Sequence, residues 1–107
     1  MAHYLMQVAY TPESWAKFIA NPHNRAEALK PVVAKLGGEI EGAWFCFGEY
    51  DTIVILRMPD NTAASAFAVA AAAGGAVKAI RTTPLLSIEE GMNALKKAAE
   101  SGYRPPQ

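Results

Sequence analysis

The stretch Glu39-Ile40-Glu41-Gly42-Ala43-Trp44-Phe45-Cys46-Phe47-Gly48-Glu49-Tyr50-Asp51-Thr52-Ile53-Val54-Ile55-Leu56-Arg57-Met58 decides the fold. Residues 39–47 and 52–58 are rich in β-branched and aromatic side chains, which suit a pleated, half-buried surface. Between them lie Gly48, Glu49, Tyr50 and Asp51. Glycine permits backbone angles that a Cβ would block, and aspartate readily accepts bonds from nearby loop amides. So short a link makes the two strands antiparallel neighbours. Alternation puts Val54, Leu56 and Met58 on one face of the second strand, with Ile53, Ile55 and Arg57 on the other. Both faces are therefore largely apolar.

Upstream, residues 3–10 read as a further strand, apolar on both sides, the pattern of a central covered strand. Thr11-Pro12 starts a helix, with Thr11 as cap and Pro12 at the first helical position. Its apolar face is Trp15, Phe18 and Ile19, and Asn21-Pro22 breaks it. A second helical segment runs over residues 24–36, with Leu29, Val32, Val33 and Leu36 at helical spacing. Pro31 inside it predicts a kink or a restart. Downstream, Asp60 or Asn61 caps an alanine-rich helix whose bulky inward residue is Phe67. Residues 76–83 form a fourth strand, and Pro84 at its end suits a sheet edge. Ser87-Ile88-Glu89-Glu90 is a capping box opening a last helix, with Ile88, Met92, Leu95 and Ala99 on one face.

The order strand, helix, strand, strand, helix, strand is the ferredoxin-like βαββαβ unit, here with an added C-terminal helix. The reading is one α+β domain over residues 1–107, with a core at 3–100 and a tail at 101–107. Two apolar faces on one antiparallel sheet imply that a second copy covers the side without helices. That arrangement is a dimeric α+β barrel enclosing a pocket.

Composition supports the pairing. Apolar residues make up 51% of the chain and charged ones 19%, so apolar surface exceeds what one small core hides. Ten acidic residues balance ten basic ones, which leaves no global positive field for nucleic acid. Cys46 is alone, so no internal disulfide forms, and its place between two phenylalanines reads as a buried apolar filler. His3 and His23 have no partners at ligand spacing, so no metal site is expected. No cofactor is expected either. The alanine run 63–73 is too short to span a bilayer, and the N-terminus lacks signal-peptide character. A cytoplasmic protein is expected.

Four segments in order carry a family resemblance: Tyr10-Thr11-Pro12-Glu13, Leu36-Gly37-Gly38, Phe47-Gly48-Glu49-Tyr50-Asp51 and Arg81-Thr82-Thr83-Pro84-Leu85-Leu86. Through them the chain resembles the GYD-domain family of small bacterial proteins. Gly48, Tyr50 and Asp51 correspond to the signature. The resemblance extends from about Tyr4 to Ala98. It implies a ferredoxin-like unit of the dimeric α+β barrel type and no particular reaction. The wider barrel superfamily includes cofactor-free oxygenases, isomerases and haem-degrading enzymes.

Chemistry at the hairpin link has two readings. In one, Asp51 or Glu49 is a general base or ligand anchor, and Tyr50 donates to an oxyanion or carbonyl. In the other, the link is a tight turn, with Gly48 supplying the backbone angle and Asp51 accepting loop amides. Arg81, followed by Thr82 and Thr83, is an anion anchor or a sheet-edge ion pair. Gln7 points into a pocket or satisfies a backbone group. Trp44, Phe45 and Phe47 read as core or dimer interface. The leading function is small-molecule binding in the barrel pocket, lined by Gln7, Tyr50, Asp51 and Arg81. One alternative is a cofactor-independent monooxygenase or isomerase, with Asp51 or His3 as base and Tyr50 as donor. Another is a structural oligomerisation module.

Overall fold

The computed structural model describes residues 1–106; Gln107, the last residue of the expected tail, lies outside them. Eight elements follow in order: β1 (Ala2–Tyr10), α1 (Pro12–Ala20), α2 (Arg25–Lys35), β2 (Glu39–Phe45), β3 (Thr52–Met58), α3 (Asn61–Ala73), β4 (Val77–Leu85) and α4 (Ile88–Glu100). The four strands form one antiparallel sheet in the order β2-β3-β1-β4. β1 and β3 are central, as their two apolar faces require. The α+β, ferredoxin-like expectation holds.

Side-chain alternation sorts the sheet into two faces. Tyr4, Met6, Val8 and Tyr10 of β1 and Val54, Leu56 and Met58 of β3 are buried on one face. Val33 of α2 and Ala64 and Phe67 of α3 complete that core. Leu5, Gln7, Ile53, Ile55 and Arg57 occupy the other face and are only half-buried. Trp44, 60% exposed, lies across Gly42 on that same open face.

Four local expectations change. β2 stops at Phe45 rather than 47, because the Cys46 amide turns to donate to the Asp51 carbonyl at 2.9 Å and closes the hairpin. β4 runs on through Pro84 to Leu85; an edge strand has one unpaired side, where a missing amide breaks no ladder bond. α2 does not restart at Pro31 but is one helix from its Asn24 cap to Lys35. Its buried Val33 and its packed Leu29 hold it on the sheet across the lost bond. Cys46 is half-buried rather than buried, and its thiol donates to the Tyr50 carbonyl at 3.0 Å.

α4 stands apart. Its capping box forms as expected, with Ser87 and Glu90 bonding each other's backbone amides. None of its residues is buried. Ile88 is 84% and Leu95 72% exposed, so its apolar stripe is left uncovered by the described residues. The radius of gyration is 17.1 Å, where a compact chain of this length would have about 13 Å. The principal-axis extents of 57 × 34 × 22 Å describe an elongated chain.

Candidate functional site

α2 packs over β2, and α3 over β3 and β4, without substantial contact between the two helices. The gap between them opens onto the sheet as a cavity of about 790 Å³. The sequence of α3 explains the space. Ala64, Phe67, Ala71 and Gly74 fall on one helical stripe, and Phe67 alone is large. Ala70, Ala71 and Gly74 line the cavity where longer side chains would fill it. Met6, Val8, Val54 and Ile80 form an apolar floor.

One polar pair interrupts that floor. The Thr52 hydroxyl bonds the Tyr10 hydroxyl at 3.1 Å, and both residues line the cavity. Tyr10 is only 6% exposed. Its ring is boxed edge-on by Trp15 and Phe18, with centroids 5.4 and 5.0 Å away. Phe18 in turn meets His23 at 5.6 Å. This aromatic row places the hydroxyl pair at the end of the cavity where α2 begins. His23, Asn24, Arg25, Glu27 and Lys30 rim that end.

The hairpin link holds the pair in place. The Asp51 carboxylate accepts from the Tyr10 amide at 2.9 Å, and the Asp51 amide donates to the Val8 carbonyl at 2.8 Å. Asp51 thus fastens the last residues of β1 to β3, and Thr52 follows it directly in the chain. Gly48 has φ +149°, a conformation that side chains rarely adopt, which lets the link turn within so few residues.

The residues singled out from the sequence fall in three places. Tyr50 and Asp51 sit half-buried in the link, and Glu49 is exposed there. Gln7 and Arg81 are direct cross-strand partners on the open face. His3 lies at the far end of β1 beside Arg57, with Glu41 at 3.2 Å. Arg57 lies six residues beyond Asp51, so His3 and Asp51 are about 20 Å apart along the sheet. None of Gln7, Tyr50, Asp51, Arg81 or His3 lines the cavity. Sequence reasoning missed Tyr10 and Thr52 as site residues. The available signal was that both lie on the face of Tyr4, Met6 and Val8, opposite a helix made of alanine.

The GYD-domain family model matches residues 4–95. The chain belongs to the GYD-domain family. This GYD domain also shares its fold with two solved structures. The crystal structure of FFRP-DM1 superposes with a TM-score of 0.51 at 16% identity, over 80% of this chain and 100% of that one. The crystal structure of TTHA0845 from Thermus thermophilus gives 0.53 at 15% identity, over 81% and 95%. Identities this low speak to fold alone. No curated protein matches the domain in sequence. In this GYD domain the signature aspartate ties together the strand ends that carry Tyr10 and Thr52.

Proposed function

We propose that this GYD domain is a homodimeric small-molecule-binding protein whose ligand lies between α2, α3 and the sheet. The observation that carries the reading is the cavity itself. Its volume of about 790 Å³ falls inside the range of roughly 300–1,000 Å³ usual for ligand sites. Like such sites, it combines an apolar lining with a few convergent polar groups. The dimer rests on the open face, where Leu5, Ile53, Ile55 and Trp44 lack a cover within the chain. A helix layer on one side and a second sheet on the other would give β1 and β3 the burial that their sequence suits.

A second reading keeps the ligand on the open face, between two sheets. It is favoured by the direct pairing of Gln7 with Arg81 there. The two sites separate in one experiment. Binding of the neutral fluorophore N-phenyl-1-naphthylamine is measured by its emission for the parent protein and three variants. The cavity reading predicts binding that is lost in Ala70→Trp, which fills the gap from α3, and kept in Gln7→Ala and Arg81→Ala. The reverse pattern would move the site to the open face.

A further inference from the structure

We infer that the cavity is built for an amphipathic acid, an apolar chain ending in one carboxylate whose head lies between Tyr10 and Arg25. The inference rests on the cavity as the binding site and adds the chemistry of its occupant.

Proton bookkeeping at the floor comes first. Tyr10 and Thr52 each carry one hydroxyl proton, and the bond between them uses one. Whichever way it runs, one hydroxyl proton has no acceptor among the described residues. That proton faces the cavity, where an oxygen acceptor on the ligand would take it.

Charge at the rim comes second. Lys30 is spent on Glu27 at 2.7 Å. Glu41, which also lines the cavity, is held by Arg57 at 3.4 Å and His3 at 3.2 Å. His23 has its Nδ1 on the Asn21 carbonyl at 3.0 Å. Arg25 is the cavity-lining cation that has no carboxylate within salt-bridge distance among the described residues. It occupies the first turn of α2, where the helix dipole also favours an anion.

Polarity along the cavity comes third. The unmet hydroxyl proton and the free guanidinium share the end where α2 begins. Away from it Leu29, Met6, Ile40 and Phe67 form an apolar lining, and the carboxylate of the neighbouring Glu41 is paired with Arg57 and His3. From Arg25 to Val33 the helix covers about 12 Å, room for a straight alkyl chain lying along it. One acidic head and one apolar tail match that layout. A dianion would leave one charge unpaired, and a wholly apolar ligand would leave the hydroxyl proton unmet.

Titration calorimetry with decanoate and decan-1-ol tests the inference on the full chain. The parent protein should bind decanoate at least about tenfold more tightly than decan-1-ol, since a hydrogen bond to a charged group contributes roughly 1.5–3 kcal/mol. Arg25→Gln should erase most of that preference while leaving decan-1-ol affinity unchanged. Tyr10→Phe should weaken decanoate binding, and Thr52→Ser, which keeps the hydroxyl, should not. Circular dichroism of each variant checks the fold. Equal affinity for the acid and the alcohol would overturn the acid inference and leave the cavity reading standing. Binding of neither would overturn both.

Discussion

Asp51 ties two strand ends by its carboxylate and its amide, and Tyr10 takes its position from the first of these bonds. Asp51→Ala leaves the Tyr10 amide without its partner and should lower stability by about 1–3 kcal/mol in urea denaturation. Asp51→Asn keeps an acceptor oxygen and should lose less. Gly48→Ala tests a different cost. No atom lies within 4 Å of the added Cβ, so the penalty is conformational, about 1–3 kcal/mol by the same measurement. The role of Gly48 was readable in the sequence, because turn chemistry is local; Asp51 was expected to accept loop amides and instead accepts the Tyr10 amide at the end of β1, a long-range bond that turn chemistry does not specify. Tyr10 was not readable as a site residue. Its place in the strand pattern looks like core, and only the thin helix opposite it turns core into cavity.

Elements were legible where capping and periodicity agree. Thr11, Asn24, Asp60 and Ser87 each accept an amide from the first turn that follows. Ends set by tertiary pairing were less so, as with β4 running through Pro84 in an edge strand. α2 gives an element-level prediction. Pro31 removes one helical amide from its interior, so Pro31→Ala should raise stability by about 1–3 kcal/mol in the same urea assay, provided the new amide bonds the Glu27 carbonyl. α4 gives another. Bonds from Ser87, chiefly its backbone amide, hold the Glu90 carboxyl below its ordinary value of 4.5. A lowered folded value means that the box is fully formed above pH 4.5 and loosens as pH falls through the lowered value. The Ser87 amide resonance, followed by NMR across that range, should shift with Glu90, and in Glu90→Gln it should not titrate.

At the scale of the whole molecule, the open face and α4 leave apolar surface that one chain does not cover. A standard interface needs about 800 Å² from each partner. A helix stripe of Ile88, Met92 and Leu95 together with the sheet residues Leu5, Ile53, Ile55 and Trp44 offers surface of that order. Light scattering after gel filtration at micromolar concentration should give twice the monomer mass of 11.5 kDa, and a monomer would refute the pairing. A chain ending after Leu86 should keep the sheet fold, since no residue of α4 is buried, and should dimerise more weakly if α4 contributes to the interface. The apolar character of both sheet faces was visible in the sequence. The cavity was not, since it depends on how far apart α2 and α3 come to rest. The most direct test of the binding account is methyl NMR of the protein titrated with decanoate. The account predicts shifts at Val8, Ala43, Val54, Ala71 and Ile80, which line the cavity, with Leu5, Ile53 and Ile55 on the open face unmoved. Shifts confined to Leu5, Ile53 and Ile55, or no shifts at all, would contradict it.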